Sequence, residues 1–272
     1  MSSSATPTSG ASRMSGMTPR SPARVMSVIE ALARAPDGAT LAALSRDLDL
    51  PKTSLFSLLR ALETDGYVVN GRGVYRLGMA TIQLASMISG GTPQFRKISA
   101  LLPALATRAG ETAMVAVPTS DGLEAFYVDI VEGPQAIRYA SSTGARRPLY
   151  CTAAGRVMLA FRDPTLTQAY FAAVTPMALT KHTTTDKNAL RALIEHVRRT
   201  GIAESRDQVS IGVWGFGSPV FDANRTLVAA VMIAAPTDRA QRNHAHLVAC
   251  IRDAGEEMSR MLGLAGDYIL AP

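Results

Sequence analysis

The stretch PKTSLFSLLRALETDGY, residues 51–67, decides the fold of the N-terminal part of the chain. Gly66 ends a helical pattern whose leucines share one face: Leu55, Leu58, Leu59 and Leu62. The opposite face carries small hydroxyl side chains and one arginine, with a phenylalanine at its flank, where a solvated helix usually carries Glu and Lys. The stretch therefore predicts a helix over about 52–65 that packs one face on a core and offers the other for contact.

The flanking segments predict what surrounds this helix. A first helix is predicted over 24–34, and Thr40 is placed to cap a short second helix, LAALSRDL. After Gly66, two short strand patterns flank Asn70-Gly71-Arg72-Gly73, in which Asn-Gly is a strong hairpin signal. Helix, helix, turn, helix and hairpin in this order predict a winged helix-turn-helix.

The exposed face of the central helix suits contact with double-stranded DNA. Thr53, Ser57 and Arg60 line that face, and such side chains can bond base edges or phosphate. Further candidate contacts flank this line or lie at the first turn and the wing tip: Lys52, Ser54, Phe56 and Arg72. The alternative is an ordinary amphipathic helix in a bundle, but the neighbouring helices and hairpin favour a recognition helix in a major groove.

Composition shifts divide the chain into four predicted parts. Residues 1–22, rich in Ser, Thr, Pro and Gly, indicate a flexible arm, and 23–77 the winged helix-turn-helix. A linker helix is predicted over 78–92, where Gly90-Gly91-Thr92-Pro93 breaks the chain. Residues 93–272 form the second domain.

The second domain has mixed strand and helix patterns without a βαβ rhythm. Strands are predicted near 112–117, 124–131, 136–140, 202–206, 215–221 and 226–234. Helices are predicted near 94–109, 152–161, 165–173, 186–200 and 238–262, and a loop over 144–148. The fold class is therefore α+β, an antiparallel sheet packed by helices.

Charge and composition exclude several classes of protein. The 272 residues carry a net charge of +6, divided evenly between residues 1–91 and 92–272 without a polybasic run. The positive charge suits an acidic partner such as nucleic acid. Two cysteines give no disulfide framework, and neither a secretory signal nor an apolar run of membrane-spanning length is present. We expect a cytoplasmic protein.

Segments in both domains carry a family resemblance, in order and over about 24–262. They are RVMSVIEALA, TLAALSRDLDLPKTS, LLRALETDGYV and GVYRLG, followed by RRPLYCTAAGRVMLA, RRTGIAESRDQVSIGV and GSPVFDANRTLVAAVMIAAP. With them the chain resembles the IclR family of bacterial transcriptional regulators. The resemblance implies a winged helix-turn-helix, a linker helix and a GAF-like effector-binding domain. It also implies homodimers or homotetramers, and small organic acids or aromatic metabolites as effectors. Phe56 and Ser57 differ from common choices of the family, so no operator sequence is implied.

The resemblance maps an effector pocket onto Ala153, Ala154, Ser205 and Gly215. With Thr152 as the cap of a helix, the N–H groups of Ala153, Ala154 and Gly155 can face a carboxylate. Met114 and Trp214 are candidates for an apolar wall. In the alternative, this loop only packs a helix tightly on the sheet, and the glycines at 212, 215 and 217 serve strand bends.

Catalytic, metal and cofactor motifs are absent from the sequence. Cys151 has no histidine placed to activate it, and His244 and His246 point different ways on a helix. Gly215-Phe216-Gly217 lacks the rest of a dinucleotide fingerprint. The sequence thus predicts a ligand-responsive transcriptional regulator that is not an enzyme and binds a palindromic operator. Two alternatives are an enzyme with a helix-turn-helix appendage and a protein–protein interaction module.

Overall fold

The computed structural model describes residues 20–91 and 93–269, which divide between Ile88 and Ser89 into two compact units. The predicted arm therefore lies almost entirely outside the described residues. The elements of the first part of the chain are α1 (Arg20–Ala33), β1 (Ala39–Thr40), α2 (Leu41–Asp47), α3 (Lys52–Thr64), β2 (Val68–Gly71), β3 (Val74–Leu77) and α4 (Met79–Gly91).

The leucine stripe of α3 forms the centre of the N-terminal core. Leu55 and Leu59 are fully buried and pack with residues of α1, α2 and the hairpin: Val28, Leu32, Leu44, Val68 and Tyr75. Thr40 caps α2, accepting from the N–H of Ala43 at 3.2 Å. The predicted winged helix-turn-helix is confirmed.

The predicted wing is present, but its turn is shorter than the predicted connection of four residues, 70–73. Asn70 and Gly71 belong to β2, and Gly71 pairs with Val74, so only Arg72 and Gly73 form the turn. Both have positive φ, 56° and 81°, which defines the type I′ hairpin geometry. The Asn70 carboxamide instead accepts from the N–H of Gly73 at 3.0 Å. The unpredicted strand β1 adds to β3 and completes a three-stranded sheet.

The second unit is built on one antiparallel sheet. Its elements after α4 are α5 (Pro93–Ala109), β4 (Thr112–Pro118), β5 (Glu124–Val131), β6 (Arg146–Pro148), α6 (Ala153–Phe161), α7 (Pro164–Ala173), α8 (Lys187–Thr200), β7 (Ala203–Arg206), β8 (Val213–Phe221), β9 (Leu227–Pro236), α9 (Thr237–Arg242) and α10 (His244–Met261). The strand order is β6-β5-β4-β9-β8-β7.

Alternating side chains of this sheet face two separate cores. On β4, Met114 and Ala116 pack with the cluster that contains α6, α7 and α8. Ala113 and Val115 face the opposite cluster, which contains α5, α9 and α10. The six strands with helices on both faces confirm the α+β class.

Two predictions for this unit were wrong. Residues 136–140 form no strand; the edge of the sheet beside β5 is taken by β6, which lies within the predicted loop. Ile137 is 77% exposed and pairs with no described strand, whereas Tyr139 of the same segment packs on the core that contains α6. The predicted final helix is divided at Asn243 into α9 and α10.

Among the described residues, no helix is both long enough and apolar enough to cross a bilayer.

Candidate functional site

The outer face of α3, defined by Lys52, Thr53, Phe56, Ser57 and Arg60, is open to solvent. The guanidinium carbon of Arg60 lies 5.9 Å from the centroid of the Phe56 ring, which is 44% exposed. This contact holds a cation and an aromatic edge side by side on the helix surface. Ser54, the remaining candidate on this helix, is half-buried at the flank.

Hydroxyl groups on the outer face of α3 bond to their own helix. The Ser57 hydroxyl donates to the carbonyl of Thr53 at 3.1 Å, so its donor is satisfied while its lone pairs remain available. Pro51 precedes the helix, and no side chain caps the first turn. The N–H groups of that turn can therefore serve an anion such as phosphate.

Arg72 lies exposed at the tip of the wing. Its φ of 56° is uncommon for a residue with a Cβ, and Asn, Asp or Gly more often occupies such a position. Arg72 therefore places a cation at the tip despite this backbone strain, and a nucleic-acid backbone can be contacted there.

A cavity lies between α6 and the sheet in the C-terminal unit. It encloses about 420 Å³, including space open to solvent. All six strands and the adjoining loops contribute to its lining: Met114, Tyr127, Tyr139, Arg147, Thr152, Ala153, Ser205, Val209, Ser210, Val213, Gly215, Met232 and Ala234. The site is thus assembled from distant parts of the sequence.

Four of the six predicted effector residues line this cavity, namely Met114, Ala153, Ser205 and Gly215. Ala154 and Gly155 are buried in α6 away from the lining.

Gly155 packs directly against the backbone of Leu149, which explains why it lies outside the cavity lining. A Cβ there would lie 2.2 Å from the Leu149 backbone, and its N–H donates to the Thr152 hydroxyl at 3.0 Å. Hence Gly155 allows tight packing, and its N–H is occupied by the predicted cap.

Trp214 lies apart from the cavity lining. Its ring stacks on Phe216 with centroids 5.4 Å apart, and both residues belong to the core on the opposite side of the sheet. Its indole N–H donates to Glu204 at 3.1 Å. The predicted apolar wall is supplied instead by Met232, Val209 and Val213.

Sequence reasoning missed four polar residues of the lining: Tyr127, Tyr139, Arg147 and Ser210. Tyr127 occurs in the buried alternation of β5, which signals a core position without indicating a cavity. Tyr139 lies in the segment that was wrongly predicted as a strand. Arg147 lies within the predicted loop over 144–148, yet it belongs to β6 and is half-buried.

The charge around the cavity is positive. Arg147 lines it, whereas no described Asp or Glu does. Arg156 of α6 is 2% exposed, and it donates to the carbonyls of Tyr150 and Glu204 and to the Gln208 side chain. Burial lowers the pKa of Arg156 to about 10, so the group remains protonated at neutral pH. An anion is therefore favoured in the cavity.

The loop 207–212 borders the cavity and is anchored by side chains from several elements. Thr180 donates to the carbonyl of Asp207, and Thr183 to that of Gln208. The Asp207 carboxylate accepts from the N–H of Gly212 at 2.7 Å and from the Thr237 hydroxyl at 2.8 Å. These bonds fix the loop that carries Val209 and Ser210.

The chemistry of Cys151 is that of a neutral thiol. The residue is fully buried, and burial raises its pKa to about 11. A thiol in that state is a poor nucleophile. The described residues include no cluster of three side chains able to hold a metal ion.

A winged helix-turn-helix with an open helix face and an α+β unit with an internal cavity define the class of ligand-responsive DNA-binding proteins. Family models agree: the IclR helix-turn-helix domain matches residues 21–71, and the bacterial transcriptional regulator IclR C-terminal model matches residues 93–260. The chain belongs to the IclR family of bacterial transcriptional regulators.

Curated relatives share this organisation. The HTH-type transcriptional regulator XynR of Escherichia coli (strain K12) is 28% identical over 223 residues, which cover 81% of this chain and 88% of the relative. The DNA-binding transcriptional repressor YiaJ of the same organism is 28% identical over 247 residues, covering 88% and 86%.

Solved structures show the same fold. The IclR regulator of Alicyclobacillus acidocaldarius has a TM-score of 0.83 at 24% identity, covering 90% of this chain and 100% of that one. An IclR homologue from Microbacterium hydrocarbonoxydans, solved in complex with 4-hydroxybenzoate, has a TM-score of 0.76 at 21% identity, covering 88% and 98%.

Proposed function

We propose that this regulator binds a palindromic operator as a homodimer or homotetramer and changes its DNA occupancy when a small organic acid or aromatic metabolite enters the cavity. An effector shifts that equilibrium only through a difference in affinity between the DNA-bound and free states. No catalytic step or cofactor forms part of this function, and its place of action is the cytoplasm.

The outer face of α3 supports the DNA-binding part. Thr53, Ser57 and Arg60 would read base edges in the major groove, with Phe56 packing on a thymine methyl group. Lys52, Ser54 and the wing residue Arg72 would contact phosphates. A symmetric dimer would place two such helices about 34 Å apart, in successive major grooves.

The positively charged cavity is the observation that carries the effector part. It lies between α6 and the sheet and combines apolar side chains with a few polar groups, as small-molecule sites do. Met114, Met232 and Ala234 offer an apolar wall, and Arg147 offers charge without a described acidic neighbour in the lining. The 4-hydroxybenzoate bound to the Microbacterium homologue combines the same two properties.

Footprinting on the region around the gene of the protein, with and without candidate acids, tests the function. We expect a protected palindrome whose occupancy changes with at least one acid. Gly215→Leu is a useful variant, because a Cβ at Gly215 already lies 3.5 Å from Met232, and a larger side chain would fill the cavity. It should retain the footprint and lose the response. Absence of any protected site would overturn the proposal.

A further inference from the structure

The polar groups of the cavity are distributed unevenly between its two ends. The strands β6 and β5 lie at one side of the sheet and carry Arg147 and Tyr127, with Tyr139 in the adjoining loop. The strands β8 and β7 lie at the other side and carry Gly215 and Ser205. Apolar side chains of the middle strands, Met114, Met232 and Ala234, separate the two ends.

At the β7–β8 end, protein groups already satisfy two of the three lining hydroxyls, and the third, Ser210, lies on an exposed part of the loop. Ser205 donates to the carbonyl of Cys151. Thr152 donates to the carbonyl of Pro148 at 3.1 Å and accepts from the N–H of Gly155. A ligand group placed there would compete with these bonds.

Tyr127 provides a free donor at the β5–β6 end. The residue is 2% exposed and lines the cavity, and its hydroxyl has no hydrogen-bond partner among the described residues. Burial is the main cause that raises the pKa of Tyr127, so the phenol stays neutral and can donate. Because the side chain lines the cavity, its hydroxyl is available to donate to a ligand that enters there.

Arg147 supplies the charge at the same end. Its Nη1 donates to the carbonyl of Arg146 at 2.8 Å, and no described carboxylate pairs with it. A half-buried guanidinium presents a fork of N–H donors that suits a carboxylate.

From this asymmetry we infer that Arg147, Tyr127 and Tyr139 form an anion-binding subsite, in which the guanidinium and the Tyr127 hydroxyl hold the carboxylate of the effector. The apolar body of the effector then extends along Met114 and Met232 towards α6. The inference rests on the proposed effector-binding function, and it places the acid group at the sheet edge, away from the N-terminus of α6.

The test measures binding to the full-length protein by calorimetry with pairs of probes: benzoate and benzamide, 4-hydroxybenzoate and 4-hydroxybenzamide, butyrate and butyramide, pyruvate and pyruvamide. Each amide keeps the shape of its acid without the charge. We expect at least one acid to bind at least tenfold more tightly than its amide.

Substitutions of Arg147 and Tyr127 test which side chains bind the carboxylate. Arg147→Met should weaken binding of that acid at least tenfold and leave binding of its amide unchanged, while Arg147→Lys recovers part of the loss. Tyr127→Phe should weaken acid binding several-fold. The matched control is Arg146→Met, which removes the same charge from an exposed neighbour outside the lining and should have little effect.

Equal binding of acids and amides, equal losses in the two Met variants, or no binding of any acid would each overturn the subsite. Failure of the proposed function gives a different result, since the unaltered protein then protects no operator or shows no response to any metabolite in footprinting.

Discussion

The helices α3 and α6 differ in how much of their surface is buried. In α3 only Leu55, Leu59 and Leu62 are buried, and its first turn has no side-chain cap. In α6 every residue from Ala153 to Ala160 is buried, and Thr152 caps the first turn. The helix α3 has an exposed face that is free to contact a partner, whereas α6 packs inside its unit and lines the cavity. Substitutions on α6 should therefore act on stability, and substitutions on the outer face of α3 on binding.

The largest effect is expected for Gly155→Ala in α6. The added Cβ would lie 2.2 Å from the carbonyl oxygen of Leu149, and backbone atoms cannot move aside cheaply. We expect the free energy of unfolding to fall by roughly 3 kcal/mol, measured by urea denaturation. The control is Gly215→Ala, whose Cβ would meet its nearest neighbour at 3.5 Å and should be tolerated. Equal stability of the two variants would contradict the close packing of α6.

Next comes Arg60→Ala on the outer face of α3. If the guanidinium contacts a base, operator binding should weaken by roughly 1–3 kcal/mol, while the free energy of unfolding changes little because the side chain is exposed. A gel-shift titration measures the affinity, and Arg199→Ala, an exposed arginine on α8, controls for net charge. Unchanged operator affinity would show that Arg60 has no such contact.

A smaller effect is expected for Arg72→Asn at the wing tip. Asn tolerates positive φ, so the turn should be as stable or more stable without the cation. If Arg72 contacts a phosphate, the slope of log affinity against log salt should decrease by about one. Arg72→Lys keeps the charge and should keep the slope. If the Asn variant keeps the salt dependence of the unaltered protein, Arg72 does not contact a phosphate.

The smallest effect is expected for Ser57→Ala. Its hydroxyl already donates to the carbonyl of Thr53, so only its acceptor capacity is available to DNA, and we expect a loss of about 0.5–1 kcal/mol in operator affinity. Ser27→Ala on α1 removes a hydroxyl with the same bond, to the carbonyl of Ala23 at 3.0 Å, and serves as the control. Equal losses in both variants would assign the effect to the helix and not to DNA.

The sequence predicts the α3 region well because its signals are local. A leucine stripe, the Thr40 cap and Gly66 each act within a few residues, and the structure has all three. The hairpin was also predicted, with Arg72 at its tip. Only the length of the turn differs, because the strand register selects the turn residues, and here Gly71 pairs with Val74.

The cavity was less predictable because its lining is a property of the assembled sheet. Arg147 and Tyr139 fall in segments whose strand and loop assignments were reversed, since only the pairing of β6 with β5 decides which segment joins the sheet. Tyr127 shows the same limit, because the alternation of β5 marks it as buried without revealing that a void lies beside its hydroxyl.

The hydrogen bonds of the buried Arg156 guanidinium indicate which positions around the cavity must be kept in a redesign and which can be varied. It donates hydrogen bonds to the carbonyls of Tyr150 and Glu204 and to the Gln208 side chain. One side chain therefore holds three segments around the cavity in place. A mutant library aimed at a biosensor for a new metabolite can vary Val209, Val213 and Met232, whose side chains line the cavity and belong to its apolar cluster. The same library should leave Arg156 unaltered, since one substitution there would remove all of these hydrogen bonds at once.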